Sequence, residues 1–296
     1  MLNLSHVRSF LGVVDGRGFR SAARDLRLSP STIVDHVKQL EADFAAPLVV
    51  RKRGGTVPTP QGEAFLPLAR ALLATAERAR EVVAGFPLRI AAASNVGTYL
   101  LHSTLASFRH SSPYPTELWI GGNPIVSERL DSRRADVGLM EWWDDRPGFR
   151  AHIWRREPLV VIVSPQHPWA NRGQIDAHDL IGVRMLGGER GTGTGSLLRQ
   201  ALGTVADRIE TVDGFGSTEA VKRAVRAGLG ISLVLAAAVA DEVASGDLVA
   251  LPFAGAELVK DIRLIVPDPL PAGSAAAIFA EHALGDFVAA PTSNIN

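Results

Sequence analysis

Leu28-Ser29-Pro30-Ser31-Thr32-Ile33-Val34-Asp35-His36-Val37-Lys38-Gln39-Leu40 is the stretch that decides the fold. Ser29 is a good helix N-cap, and Pro30 sits at the first helical position, where its missing N–H has no partner to lose. Ile33, Val37 and Leu40 fall on one face of a helix running from Pro30 to about Phe44. Burying them turns Ser31, Thr32, Asp35, His36, Lys38 and Gln39 to the other side. Upstream, Leu4, Val7, Phe10, Leu11 and Val14 recur at helical spacing until Gly16-Arg17-Gly18 breaks the run. A second short helix follows from about Phe19 to Leu26, with Ala22, Ala23 and Leu26 inward. Three short helices with a tight turn before a polar-faced third follow the helix-turn-helix plan, whose last helix enters the major groove.

Downstream of this helix, Leu48-Val49-Val50 reads as a strand, Arg51-Lys52-Arg53-Gly54-Gly55 as a basic turn, and Thr56-Val57 as the returning strand. A basic hairpin in this place is the wing of a winged helix, and its arginines suit phosphate or a narrow minor groove. Double-stranded DNA is the expected partner, met by Ser29, Ser31, Thr32, Asp35, His36, Lys38, Gln39, Arg51, Lys52 and Arg53. Charge agrees. The chain balances 31 basic against 31 acidic side chains, yet residues 1–60 hold nine basic and five acidic ones. A basic head on a mildly acidic body places the polyanion contact in the head alone.

Thr59-Pro60 opens a longer helix in the same way as Ser29-Pro30. Along it Phe65, Leu72, Ala79 and Phe86 fall seven apart, with Leu68, Thr75 and Val82 as a second set. This short, impure heptad pattern is expected to cover itself with a second copy, since two-fold operators are read by paired heads.

At 296 residues, with 46% hydrophobic and 21% charged, the chain has room for two or three domains with real cores. It has no cysteine, which removes disulfides, thiolate zinc sites, thiol nucleophiles and thiol redox switches. The N-terminus lacks the basic-then-apolar pattern of a secretory signal, and the apolar run Ile231 to Ala240 is about half a membrane span. A cytoplasmic protein with no membrane partner is expected. G-x-S-x-G, G-x-x-x-x-G-K-[ST] and H-E-x-x-H are all absent, and the eight histidines are scattered, so no catalytic residue, metal or cofactor is expected. The alternatives are a small-molecule binding protein whose helical head makes protein–protein contacts, or an α/β enzyme with an appended helical domain.

Phe10, Gly18-Phe19, Ser21-Ala22-Ala23, Leu26, Leu28-Ser29, Leu40-Glu41, Pro47-Leu48, Arg51, and Thr59 with Gly62 together resemble the signature of LysR-type transcriptional regulators. The similarity continues through Asp136-Val137-Gly138-Leu139, Glu157-Pro158-Leu159-Val160 with His167-Pro168, Glu219 to Ile231, and Gly246-Asp247-Leu248-Val249. Departures fall at Pro30, Val34, Ala45-Ala46 and Val49-Val50, where the family usually has glutamine, serine, leucine-glycine and an aromatic. Pro30 has no backbone N–H and Val34 no hydrogen-bonding side chain, so the family's base contacts do not transfer directly. The resemblance implies a winged helix-turn-helix over 1–58, a dimerising linker helix over 59–87, and a two-lobed, periplasmic-binding-protein-like α/β effector domain over 88–296. It also implies a homotetramer of two linker-helix dimers and a small, polar or anionic effector, with RNA polymerase a further candidate partner.

The body supports an α/β reading by itself. Strand-like runs at Leu88–Ala93, Glu117–Ile120, Asp136–Met140, Leu159–Ser164, Ile231–Leu235 and Ile262–Val266 alternate with helical ones at Leu100–Phe108, Ile125–Arg134 and Thr218–Ala227. A mainly parallel sheet is expected, in lobes of about 88–160 with 267–296, and about 161–266. Ligands of such sheets sit at the carboxyl ends of strands. That rule selects Ser94, Asn95, Gly97 and Thr98 after the first strand, Asn123 after the second, and Glu141 with Trp142 or Trp143 after the third. In the other lobe it selects Arg190, Thr192 and Thr194, in a Gly/Thr-rich turn opening a helix, whose free N–H groups favour an anion. That turn resembles a Gly-Ser-Gly-Thr-Arg turn in one branch of the family, but Gly195 stands where that branch has its arginine.

Overall fold

The computed structural model of the chain describes residues 2–188, 193–254 and 258–289. Contacts divide it into two units, Met1–Pro87 with Asp131–Arg134, and Leu88–Leu130 with Ala135–Asn296.

The first unit carries α1 (Leu4–Asp15), α2 (Phe19–Leu26), α3 (Pro30–Phe44), the strands β1 (Val49–Lys52) and β2 (Gly55–Pro58), and α4 (Pro60–Val83). Each of three helices starts on a side-chain cap. The Asn3 side chain accepts the Ser5 N–H, Ser29 that of Thr32, and Thr59 that of Gly62, with prolines in the first turn of α3 and α4. Val7, Phe10, Ile33, Leu40, Leu48 and Phe65 fill one apolar core between them. The hairpin is antiparallel, with Val50 opposite Val57 and Lys52 opposite Gly55. It is pinned at its base, because the Thr56 N–H donates to the Arg17 carbonyl at 2.9 Å. Gly55 has φ +136°, and a Cβ there would lie 2.6 Å from that same oxygen, so the close approach requires glycine.

One expectation changes here. Phe65 does not begin a dimer stripe; it is 8% exposed inside the head, with Phe10 at 5.5 Å and Phe44 at 4.8 Å between ring centroids. The first turns of α4 serve the head's core, so the seven-residue spacing there reports intrachain packing. Leu68, Leu72, Val82 and Phe86 remain exposed.

The second unit runs β3 (Leu88–Ala93), α5 (His102–Ser111), β4 (Thr116–Gly121), α6 (Asn123–Asp131), β5 (Val137–Met140), β6 (Phe149–Val163), β7 (Met185–Leu186), α7 (Gly193–Leu202), β8 (Thr211–Val212), α8 (Thr218–Arg226), β9 (Ser232–Leu235), α9 (Ala240–Ala244), β10 (Val249–Leu251), β11 (Val259–Pro267) and α10 (Ala275–Ala289). A π-helical turn, Val96–Leu100, joins β3 to α5. The main sheet has the order β10-β6-β11-β5-β3-β4, and β9 also pairs with β6.

This sheet is mixed, which corrects the expectation of a mainly parallel one. Among the described strands, β4-β3-β5 and the separate pair β7-β8 run parallel, and the other strand pairs of the domain run antiparallel. The cause is the length of β6 and β11. They run antiparallel to each other from Phe149↔Pro267 to Pro158↔Val259, and so thread two halves of the domain. Near one end β11 pairs with β5, and at the other β6 pairs with β9 and β10. The half built on β3, β4 and β5 is the first lobe; the half built on β7 to β10 is the second. Phe108 of α5 and Phe279 of α10 meet edge to face at 5.1 Å in the core of the first.

Candidate functional site

In the head, α3 exposes Ser31, Asp35, Lys38 and Gln39, while Thr32 and His36 are half-buried. The Ser29 hydroxyl is spent within the helix start, at 3.0 Å from the Thr32 N–H and 2.7 Å from the Ser31 and Thr32 hydroxyls. His36 is turned onto α1. Its Nδ1 lies 2.8 Å from Ser9 Oγ, and its ring is 4.7 Å from that of His6. Arg51, Lys52 and Arg53 are exposed at the hairpin. The head thus exposes Ser31, Asp35, Lys38 and Gln39 on α3 and three cations on the hairpin, a combination suited to base edges and phosphates.

Two supporting residues were not singled out from the sequence. The Glu41 Oε1 accepts the N–H groups of Leu48 (2.8 Å) and Val49 (3.2 Å), fixing where β1 begins relative to α3. Arg17 holds the hairpin through its carbonyl, at φ +52°. The Arg17 contact joins residues far apart in sequence, and the Glu41 contact spans the turn between α3 and β1, outside the periodicity of either element.

The second unit contains a cleft of about 370 Å³ between its lobes. The first lobe lines it with Ser94, Asn95, Thr98 and Tyr99, and the second with Thr194, Ser217, Thr218 and Glu219. Three hydrogen-bonded connections cross it. Thr218 Oγ1 donates to Asn95 Oδ1 at 2.7 Å, and the Tyr99 hydroxyl donates to Glu219 at 2.7 Å. Deeper, Lys260 on β11 donates to Glu141 at 2.7 Å and to Thr194 at 3.2 Å, while Glu141 also accepts from Asn95 at 2.9 Å.

Lys222 of α8 lies beneath, 5.1 Å from the Tyr99 ring, bound to Glu219, Glu242 and the Ala238 carbonyl. Burial works against its charge, but its hydrogen bonds to Glu219 and Glu242 outweigh it and hold its pKa above the ordinary lysine value. The hydrogen bond from Lys222, then that from Tyr99, holds Glu219 below the usual carboxylate range. Burial and the bond to Glu219 push the Tyr99 hydroxyl upward.

Of the residues selected from the sequence, Ser94, Asn95, Thr98 and Thr194 line the cleft. Gly97 does not. It is buried in the π turn, where a Cβ would meet the Ile120 side chain at 2.6 Å, so its role is close packing. Asn123 lies off the lining and accepts the Glu141 N–H at 3.4 Å. Glu141 sits behind Asn95, 10% exposed. Trp142 is exposed at the surface and is not among the lining side chains, while Trp143 is buried 5.7 Å from Phe149. These neighbours at a strand end point to opposite sides, and neither enters the cleft. Arg190 and Thr192 lie outside the described residues. Tyr99, Thr218, Glu219 and Lys260 were not singled out. The strand-end rule finds loops after parallel strands, whereas Lys260 lies on an antiparallel crossing strand.

Residues 4–63 match the family model for bacterial regulatory helix-turn-helix proteins of the lysR family, and residues 85–287 match the LysR substrate binding domain. The chain belongs to the LysR family. It is 41% identical to PtxE of Stutzerimonas stutzeri, which carries the name of an HTH-type transcriptional regulator, over 66% of this chain and all of that one. In fold it is similar to full-length LysG of Corynebacterium glutamicum with bound arginine, at a TM-score of 0.64 and 16% identity, covering 97% of this chain and 99% of that one. It is likewise similar to full-length CbnR in complex with its target DNA, at a TM-score of 0.55 and 22% identity, covering 95% and 98%. This LysR-family chain is a DNA-binding transcriptional regulator with an effector-binding domain, in a family of regulators and not of enzymes. Among the described residues, no helix is long and apolar enough to cross a membrane.

Proposed function

We propose that this LysR-family regulator works in the cytoplasm as a homotetramer. In this reading, residues 1–58 form the DNA-reading head, 59–87 the dimerising helix, and 88–296 the sensor, with lobes of about 88–160 plus 267–296 and about 161–266. Arg51, Lys52 and Arg53 hold phosphates or reach a minor groove, and Ser31, Asp35, Lys38 and Gln39 meet the major groove. A small effector with an anionic or strongly polar group occupies the cleft. It biases two arrangements of the assembly by its different affinity for each.

The observation that carries the effector assignment is the concentration of hydroxyls around that cleft. Ser94, Thr98, Thr194 and Ser217 line it, the last two at the starts of α7 and α8. Hydroxyls and free N–H groups at helix starts are donors for an anion. LysG holds arginine, a small polar molecule with a carboxylate, which agrees in size and polarity. Thermal-shift screening of small anionic metabolites tests the reading, because a ligand bound only to the folded state raises its melting temperature. Thr98→Val with Thr194→Val should lose the shift and keep operator binding. A shift unchanged by both substitutions overturns the placement.

A further inference from the structure

We infer that the Lys260–Glu141 ion pair is an internal placeholder for the effector's anionic group: an oxyanion in the cleft takes the Lys260 ammonium and thereby loosens Glu141. This rests on the reading of the cleft as the effector site.

Among the described residues, no lysine or arginine lines the cleft itself. Two lysines lie buried just behind its walls, and their donors are spent differently. Lys222 gives its three donors to three acceptors, Glu219, Glu242 and the Ala238 carbonyl, at 2.6, 2.7 and 2.9 Å. Lys260, whose side chain is 5% exposed, reaches only Glu141 and Thr194 among the described residues. One of its three N–H donors is left over. Thr194 lines the cleft and accepts from Lys260, so its own O–H is free to donate to a ligand. A ligand oxyanion at Thr194 therefore has a buried cation one hydroxyl away.

The pair is also wired to both lobes. Lys260 lies on β11, which threads the domain, and Thr194 belongs to the second lobe. Glu141 belongs to the first, and its other oxygen holds the Asn95 amide, whose carbonyl oxygen accepts from Thr218 of the second lobe. An anion competing for Lys260 weakens the Glu141 anchor, and with it the Asn95–Thr218 bond. Ligand charge is thus converted into a change in lobe contact through side chains, with no new backbone element needed.

The full-length protein and its Glu141→Gln, Lys260→Gln and doubly substituted forms are titrated calorimetrically with sulfate, phosphate and acetate, with chloride salts matching ionic strength. Thermal melts accompany each titration. Glu141→Gln leaves Lys260 without its counter-ion, so it should melt lower, bind a probe anion more tightly and regain more melting temperature from it than wild type. Lys260→Gln should bind about 10- to 100-fold more weakly, the value of one charge-assisted hydrogen bond. The double form restores a neutral pair and keeps the fold testable even where a single form does not fold; it should be folded and insensitive to anions. Equal anion affinity in wild type and the double form overturns the placeholder role and leaves the cleft assignment standing. If no probe anion binds any form while a neutral metabolite shifts all of them, the anionic reading of the cleft fails, and this inference with it.

Discussion

The Tyr99 hydroxyl, from one side of the cleft between the sensor's lobes, donates to Glu219 on the other side at 2.7 Å. Burial first, and then this bond, raises the tyrosine's pKa far above its ordinary value of about 10. Tyr99 therefore remains a protonated donor throughout the neutral range. A folded-state pKa above the unfolded one adds stability that is present below about pH 10 and is lost as pH rises beyond it. The chain has two tyrosines, so an ultraviolet titration resolves the effect. A late tyrosinate component should be visible, and Tyr99→Phe should delete it. That substitution should cost about 0.5–1.5 kcal/mol in the melt.

Lys222 should be less forgiving. Its side chain is 6% exposed and neutralises Glu242 and Glu219 together. Removing one member of a buried ion cluster leaves uncompensated charge, so Lys222→Met should destabilise the sensor domain by about 3–5 kcal/mol. Glu219→Gln should cost far less, because Glu219 is half exposed and solvent takes over part of its interaction. Denaturant unfolding of the two variants measures the difference. Equal losses would mean that the cluster is not organised around Lys222.

In the head, Glu41→Ala should leave the N–H groups of Leu48 and Val49 without their acceptor, at a cost of about 1–3 kcal/mol. Glu41→Gln keeps an acceptor oxygen and should recover most of that loss. The wing is positioned through β1, so operator affinity in a gel shift should follow the same order: wild type, Gln, then Ala. An Ala variant that melts and binds like wild type would show that the hairpin is set by the Arg17 contact alone.

The head was nearly all legible in the sequence, because its signals are local. Caps at Ser29 and Thr59, apolar spacing through Ile33, Val37 and Leu40, and the basic hairpin lie within a few residues of what they determine. The sensor was legible where a parallel strand carries cleft-lining residues on the next turn, as at Ser94, Asn95 and Thr98. It was not legible in residues 149–158 of β6, where Phe-Arg-Ala-His-Ile-Trp-Arg-Arg-Glu-Pro shows no strand-like run of apolar residues. That segment is held by partners on β11 more than 100 residues away. The same distance hides Lys260, whose meaning comes only from Glu141 and Thr194.

His6 gives the head a response to acid. Its Nδ1 is buried and has no hydrogen-bond partner among the described residues, and its ring faces that of His36 at 4.7 Å. Burial, then electrostatic repulsion from the His36 ring, hold its pKa below the ordinary histidine value, with Asp43 pulling the other way. The folded head therefore binds protons less readily than the unfolded chain. Stability is complete above about pH 6.5 and falls as pH drops below it. Thermal melts between about pH 7 and pH 5 should show this decline, and His6→Leu should flatten it. An identical slope in that variant would assign the acid response to other groups.

Leu68, Leu72, Val82 and Phe86 leave α4 and the turn after it with an apolar surface uncovered by their own chain, Leu68 being 61% exposed. Exposed apolar surface on a regulator's linker marks an association site. Leu68→Asp with Leu72→Asp should break the proposed tetramer into smaller species in light scattering, without lowering the stability of the head, because neither side chain belongs to its buried core. Operator binding should then fall about 100- to 10,000-fold, since paired heads gain affinity from being tethered to one another. Non-specific binding should fall far less, as each head keeps its own phosphate contacts. A variant that keeps the wild-type assembly size, with operator affinity intact, would move the association contact off α4.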